Sequence, residues 1–228
     1  MVEMECLAHR GLWNEPAEKN SLVAFQRALQ AGFGIETDLR DHAGTVVISH
    51  DPPGGGCEPE LTFEEFLQIY CDSGATGTLA LNIKADGLYA DVFRLLQAFA
   101  IQSYFVFDMS IPDMLGYLKL GMNCFSRQSE FETPSFIKQK AGFSETRPTF
   151  PHATGIWLDS FSSIWYSTDL VRDHLDSGLD VCLVSPELHG RDPYPWWDEL
   201  RKFRETVQPD NNEAFGKLML CTDFPNHF

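Results

Sequence analysis

Positive charge is scarce in this 228-residue chain: 17 Lys and Arg stand against 33 Asp and Glu, a formal net charge of −16. Nucleic acid is not an expected partner, because gripping its phosphates takes a basic face. Stable docking on an anionic membrane is disfavoured for the same reason. Any anionic ligand has to be held locally, by a few cations or a metal, while most of the acidic excess serves solubility. Long apolar runs are also lacking. Hydrophobic residues reach 43 %, yet no stretch nears the ~20 residues of a membrane-spanning helix. The segment 1–6 carries acids and no basic run, so no secretory leader is expected and the chain reads as cytoplasmic. Cysteine pairs are missing too: Cys6, Cys57, Cys71, Cys124, Cys182 and Cys221 show no Cys-x-x-Cys spacing. Several sit in apolar runs and read as buried thiols of a reducing compartment, not as disulfides or a zinc site. No internal repeat or linker divides the sequence, so a single domain over residues 1–228 is expected.

What the sequence does have is alternation. Short apolar runs at 5–8, 34–39, 79–84, 104–108, 122–125, 155–158, 181–184 and 218–221 read as strands. Between them, helical patterns cover 16–30, 61–71, 88–99, 112–120, 167–175 and 195–207, with a short helix expected near 134–140. Asn20 or Ser21 can cap the first helix and Thr62 the second. Strands separated by helices in this way fit an α/β fold of the TIM (β/α)8 barrel type better than an open sheet. Residues 46–49 form a further apolar run, but 40–45 is too short for a parallel crossover, which takes about a dozen residues. That run must return antiparallel or extend beside the second strand, carrying His50 in on a hairpin arm.

The stretch 8–51 concentrates the chemistry. Glu36 and Asp38 lie at i and i+2 of a strand-like run and so share one face. Two carboxylates facing inward repel each other and lose hydration, a situation that a divalent cation relieves. The alternative is an edge strand with two solvated acids. His9 and His50 each end an apolar run, and histidine exchanges protons near neutral pH, as phosphodiester cleavage requires. Taken singly, a strand-end histidine is more often structural.

The run His9-Arg10-Gly11, then Asn20-Ser21 with Ala24-Phe25 and Ala28, Gly32, Glu36-x-Asp38 and Val47-x-x-His50-Asp51 resembles the glycerophosphodiester phosphodiesterase family. That family belongs to the wider phosphatidylinositol phospholipase C-like superfamily. Fainter echoes follow at Leu81-Asn82-Ile83-Lys84 and Thr222-Asp223-Phe224-Pro225. The resemblance implies a barrel whose site lies at the carboxyl ends of the strands. It implies Glu36, Asp38 and Asn82 as ligands of a divalent cation, Mg²⁺ or Ca²⁺. His9 and His50 become the acid–base pair, Arg10 and Lys84 hold phosphate oxygens, and the partner is a small-molecule phosphodiester.

The chain departs from the family pattern in three places. Asn82 stands where a Glu is usual, and an amide oxygen can still meet Mg²⁺ or Ca²⁺ with one negative charge fewer. Lys19 stands where a Glu is usual. Only residues 52–60 follow His50-Asp51 before the next helix, where the family commonly inserts a lid that shapes the glycerol pocket. A choline or sugar phosphodiester is therefore an alternative substrate, and Asn82 also admits a non-catalytic phosphate-binding barrel. Other strand ends carry further candidates. Glu187 and His189, with Arg191, follow the seventh strand as substrate contacts or a polar loop. Asp108 and Asp159 could meet a hydroxyl or a metal, or cap a helix. Arg127 with Glu130 is a loop ion pair or a substrate contact. Trp157, Trp165, Trp196 and Trp197 read as core or rim packing.

Overall fold

A computed structural model describes residues 2–54, 61–137, 151–207 and 215–228. Its elements are β1 (Met4–His9), α1 (Leu22–Gln30), β2 (Gly34–His42), β3 (Thr45–Ile48), α2 (Phe63–Asp72), β4 (Leu79–Ile83), α3 (Tyr89–Ala98) and β5 (Tyr104–Phe107). They continue with α4 (Ile111–Lys119), β6 (Phe125–Gln128), β7 (Gly155–Leu158), α5 (Thr168–Asp176), β8 (Asp180–Val184), α6 (Tyr194–Thr206) and β9 (Leu218–Thr222). The parallel strands run in the order β5-β4-β2-β1-β9-β8-β7-β6, and β3 pairs antiparallel with β2 off that path. A single bridge, Val106 to Cys124, joins the two end strands. The result is a nearly closed TIM (β/α)8 barrel with β3 as an added arm. Among the described residues no helix is long and apolar enough to cross a membrane.

Local sequence explains most element ends. Thr62 accepts the Glu65 N–H while the Glu65 carboxylate takes the Thr62 N–H, a reciprocal cap that starts α2. Ala43 and Gly44 both have positive φ, 49° and 82°, the geometry of a tight two-residue hairpin turn, so β3 folds straight back on β2 as the short spacing required. Three expectations need correction. The helix expected over 16–30 is broken into a 3₁₀ turn, Pro16–Glu18, and α1. Asn20 takes φ 60° between them, a conformation Asn tolerates, and Ser21 then caps α1 through the Ala24 N–H. The strand expected at 122–125 lies instead at Phe125–Gln128, because its polar end faces into the barrel mouth. Residues 134–137 are not helical, and 138–140 lie outside the described residues. Cys124, Cys182 and Cys221 are buried as expected, Cys71 is exposed on α2, and Cys57 lies outside the described residues. Trp157, Trp196 and Trp197 are packed in the core and Trp165 sits at the rim.

Period-two alternation sorts the strands into two faces. Outward residues pack under the helices. Inward residues Leu7, Ala80, Phe105, Phe107, Phe125, Trp157, Cys182, Val184, Met219 and Cys221 fill the barrel. Phe105 stacks on Phe125 at 3.8 Å and Phe107 on Trp157 at 4.0 Å, so aromatic rings thicken the side where the hydrogen-bond ladder is thinnest.

The amino end of the barrel is closed by a polar plug. The Glu5 carboxylate accepts the Thr78 N–H at 2.6 Å and the Thr78 hydroxyl, and pairs with Lys217. Glu5→Ala should lower unfolding free energy by about 2 kcal/mol, since buried Thr78 loses the partner of its N–H. Urea unfolding with an unchanged m-value checks this, and a loss below ~0.5 kcal/mol would mean water replaces the carboxylate.

Candidate active site

Continuing the inward alternation beyond the apolar layer brings polar side chains to the carboxyl ends of the strands. His9 closes β1. Its backbone then turns through Arg10 and Gly11, with φ 57° and 86°. A Cβ on Gly11 would lie 2.8 Å from the Ala24 carbonyl carbon, so the close approach to α1 requires glycine there. The turn swings Arg10 back over β2, where its Nε lies 3.0 Å from Asp38 Oδ2. Asn20, freed by its left-handed backbone, donates to the same oxygen at 2.9 Å and accepts from Thr37. Register pairs Asp38 with Asn82 and Ala80 with Glu36. Lys84 follows β4 and places Nζ 3.4 Å from Asp38 Oδ1. The structure therefore brings His9, Arg10, Glu36, Asp38, Asn82 and Lys84 together.

The hairpin arm carries His50 to the same side. Ser49 N–H donates to the Asp38 carbonyl at 3.0 Å. The Arg40 guanidinium donates to the His50 carbonyl at 2.9 Å and to the Lys84 carbonyl at 3.0 Å, tying the arm to the end of β4. The His50 ring is 44 % exposed and lies 3.0 Å from the Asp51 carboxylate.

Burial sets the charges. Glu36 is 2 % exposed. Burial first, and the Asp38 charge second, push its carboxyl up to about 8, with Arg10 and Lys84 opposing. Burial also lowers His9 below the usual imidazole value, so the ring is neutral near pH 7. Its Nδ1 lies 2.6 Å from Asp223 Oδ1, and Lys19 Nζ lies 3.2 Å from the other Asp223 oxygen. Burial alone would raise Asp223, but the His9 hydrogen bond and the Lys19 charge hold it below the usual carboxylate range. An ionised carboxylate only accepts, so His9 carries its proton on Nδ1. Nε2, left with its lone pair, faces Glu36 Oε2 at 3.8 Å.

Three buried oxygens of this cluster make no hydrogen bond: Glu36 Oε2, Asp38 Oδ1 and Asn82 Oδ1. Unsatisfied buried oxygens are costly, and a set of hard oxygen donors on neighbouring strands suits Mg²⁺ or Ca²⁺. Among the described residues no cluster of three His, Cys, Asp or Glu is arranged for a metal. Here the third oxygen belongs to an amide.

Two candidates sit elsewhere. Glu187 has both carboxylate oxygens engaged, one by the Thr222 hydroxyl and the Asp223 N–H at 3.0 Å, the other by the Ser185 hydroxyl. It stands behind Asp223 and holds that loop. His189 Nε2 meets Asp159 Oδ1 at 2.7 Å and joins a second network across the mouth. At its centre Arg127 donates to Asp108 at 2.8 Å and to Asp159 at 3.0 Å. The pairing expected between Arg127 and Glu130 does not form. Glu130 instead accepts the N–H groups of Phe161 and Ser162.

Sequence reasoning passed over Asp223, Lys19 and Asn20 as site residues. For Asp223 a signal existed: Met219, Cys221 and Asp223 alternate along β9 and its end, so Asp223 falls on the inward face.

Neither a known protein-family model nor a curated protein sequence matches the chain. Its fold does match solved structures. A candidate glycerophosphodiester phosphodiesterase from Galdieria sulphuraria superposes with a TM-score of 0.72 at 15 % identity, over 99 % of this chain and 96 % of that one. A phosphodiesterase from Oleispira antarctica, solved in complex with the product sn-glycerol-3-phosphate, superposes with a TM-score of 0.62 at 14 % identity, over 98 % and 94 %. At these identities the likeness establishes the barrel fold over nearly the whole chain.

Proposed function

We propose that this chain is a phosphoric diester hydrolase that cleaves a small glycerophosphodiester-like molecule at the mouth of its barrel. The observation that carries the reading is one cluster. A histidine with Nε2 turned to the cluster stands beside three buried oxygens that make no hydrogen bond, one of them ion-paired with Lys84, and two cations. The phosphodiesterases that share the fold, one of them holding sn-glycerol-3-phosphate, support it. In this reading the domain spans 1–228 and works in the cytoplasm.

Arg10 and Lys84 hold the non-bridging phosphate oxygens, their charges already turned toward the cluster by Asp38. His9 Nε2 takes the proton of the attacking hydroxyl, from water or from a neighbouring group of the substrate. Asp223 fixes the imidazole tautomer that makes this possible and stabilises the cation that forms. As the new O–P bond closes, the bond to the leaving alcohol breaks and His50 supplies that oxygen with a proton. Glu36, Asp38 and Asn82 would hold a divalent cation, which when bound neutralises charge developing on the phosphate.

Phosphorus NMR of a panel of glycerophosphodiesters incubated with the protein and Mg²⁺ or Ca²⁺ tests the proposal. The expected result is conversion of the diester resonance into that of a monoester or cyclic phosphate. A folded protein that leaves every diester intact with either metal would sink it.

A further inference from the structure

One cation at the mouth has no part in that chemistry. Glu36, Asp38 and Arg40 fall at i, i+2 and i+4 of β2, so Arg40 stands on the inward face one step beyond the two carboxylates. Its register partner on β3 is Val47. From there its guanidinium spans two backbone carbonyls. Nε donates to that of His50 at 2.9 Å, and Nη1 to that of Lys84 at 3.0 Å.

The two carbonyls belong to unequal partners. Lys84 is well anchored: it follows β4, a strand buried along its whole length, and its own N–H meets the Leu39 carbonyl at 2.9 Å. The arm is secured as far as Ile48, whose N–H meets the Leu61 carbonyl at 2.8 Å, and Ser49, whose N–H meets the Asp38 carbonyl at 3.0 Å. The next bonds stay within the arm, from the Ser49 hydroxyl to the Asp51 carbonyl at 2.7 Å and between the His50 ring and the Asp51 carboxylate at 3.0 Å. Among the described residues, the hydrogen bond that reaches His50 or Asp51 from outside the arm is the one from Arg40. The Asp51 side chain is 89 % exposed, so packing adds little there.

A proton donor works only within hydrogen-bond reach of its target, and a misplacement of about 1 Å can cost ~10²-fold in rate. His50 has to meet a leaving oxygen on a phosphorus held by Arg10 and Lys84, yet it sits at the exposed end of an arm. The Arg40 fork joins the backbone of His50 to the backbone of Lys84 and so fixes their separation. Shape matters here more than charge. A guanidinium is planar and presents Nε and Nη1 in a fixed relation, whereas an ammonium is a point charge on a flexible stem.

We propose that Arg40 is a positioning residue for the reaction, a brace between the end of β4 and the β3 arm that sets the His50 imidazole at its distance from the bound phosphate. The proposal rests on the phosphodiesterase reading and adds what makes its proton donor effective.

The test is a double-mutant cycle on the glycerophosphodiester that turns over fastest in the panel above. It compares wild type, Arg40→Met, His50→Ala and the double variant, each with saturating Mg²⁺ or Ca²⁺. Arg40→Met keeps most of the stem and removes the fork. It should lower kcat about tenfold and leave KM within about twofold, because Arg10 and Lys84 still hold the phosphate. In the His50→Ala background the same change should cost less than about twofold, since no imidazole is left to place. Arg40→Lys, which keeps the charge, should fall nearly as far as Arg40→Met. An equal loss in both backgrounds, or wild-type kcat in either Arg40 variant, overturns the brace. Amide hydrogen exchange, resolved by residue in NMR spectra, needs no turnover. Arg40→Met should speed exchange at Ser49 about tenfold and leave Ile48 unchanged, and an unchanged Ser49 also overturns the brace. If no chain cleaves any diester, the wild type included, the reaction falls and the catalytic role of the brace with it. The exchange contrast then still decides whether Arg40 holds the arm.

Discussion

Replacing His9 with alanine should lower kcat for diester hydrolysis by about 10²-fold or more, with a smaller change in KM. The size follows from the position of the ring. His9 is 13 % exposed, its Nδ1 is bound to Asp223, and Nε2 is the side left for a substrate proton. Alanine leaves no replacement base, because the neighbouring carboxylate, Glu36, is in this reading committed to the divalent cation. Asp223→Asn adds a graded arm. The amide can donate to Nδ1 and so favours the wrong tautomer, with the proton on Nε2, and kcat should fall about tenfold or more while His9 stays in place. Steady-state kinetics of both variants at saturating metal checks this. Full activity in His9→Ala removes the assignment of the base, and an Asp223→Asn enzyme with wild-type kcat removes the tautomer argument alone.

Arg127→Met should destabilise the protein by about 3–5 kcal/mol. The residue lies where the barrel is least closed, since the β5–β6 contact is a single bridge. Its guanidinium joins the end of β5, through Asp108, to the end of β7, through Asp159. Arg127 is 22 % exposed and Asp159 4 %, so water compensates little when the cation is lost. Methionine keeps most of the apolar stem and leaves Asp108 and Asp159 without their shared cation, although His189 still meets Asp159. Denaturant unfolding at pH 7 measures the loss. A destabilisation under ~1 kcal/mol would class the network with exposed ion pairs, which contribute little. Companion removal of the acids, as Asp108→Asn with Asp159→Asn in the Arg127→Met background, should recover part of the stability, because the repulsion is then gone.

How much of this could be read from the chain depends on whether a feature is local. Glu36, Asp38, Asn82 and Lys84 were legible because strand alternation puts i and i+2 on one face, and the observed register aligns Asp38 with Asn82. The hairpin that brings His50 in followed from loop length alone. The β6 boundary was not legible. An inward polar residue at the mouth, Arg127, breaks the apolar run that marks a strand, so the run at 122–125 drew the boundary too early. At Asn20 the capping residue Ser21 was legible, but the left-handed turn before it was not, since 16–30 keeps a helical pattern on both sides of that one residue. Contacts that join the ends of the chain, such as His9 with Asp223, leave no spacing to detect, and only barrel closure brings β1 beside β9.

The central claim is that one cluster at the ends of β1, β2 and β4, completed by the β3 arm, performs diester cleavage. The most direct measurement is the rate of aryl phosphodiester hydrolysis by the wild-type chain and by His50→Ala, each with Mg²⁺ or Ca²⁺ and then with chelator. The account predicts turnover that needs both metal and His50, with chelation and the substitution each lowering the rate about 10²-fold or more. Turnover that is indifferent to chelator and unchanged in His50→Ala would contradict it.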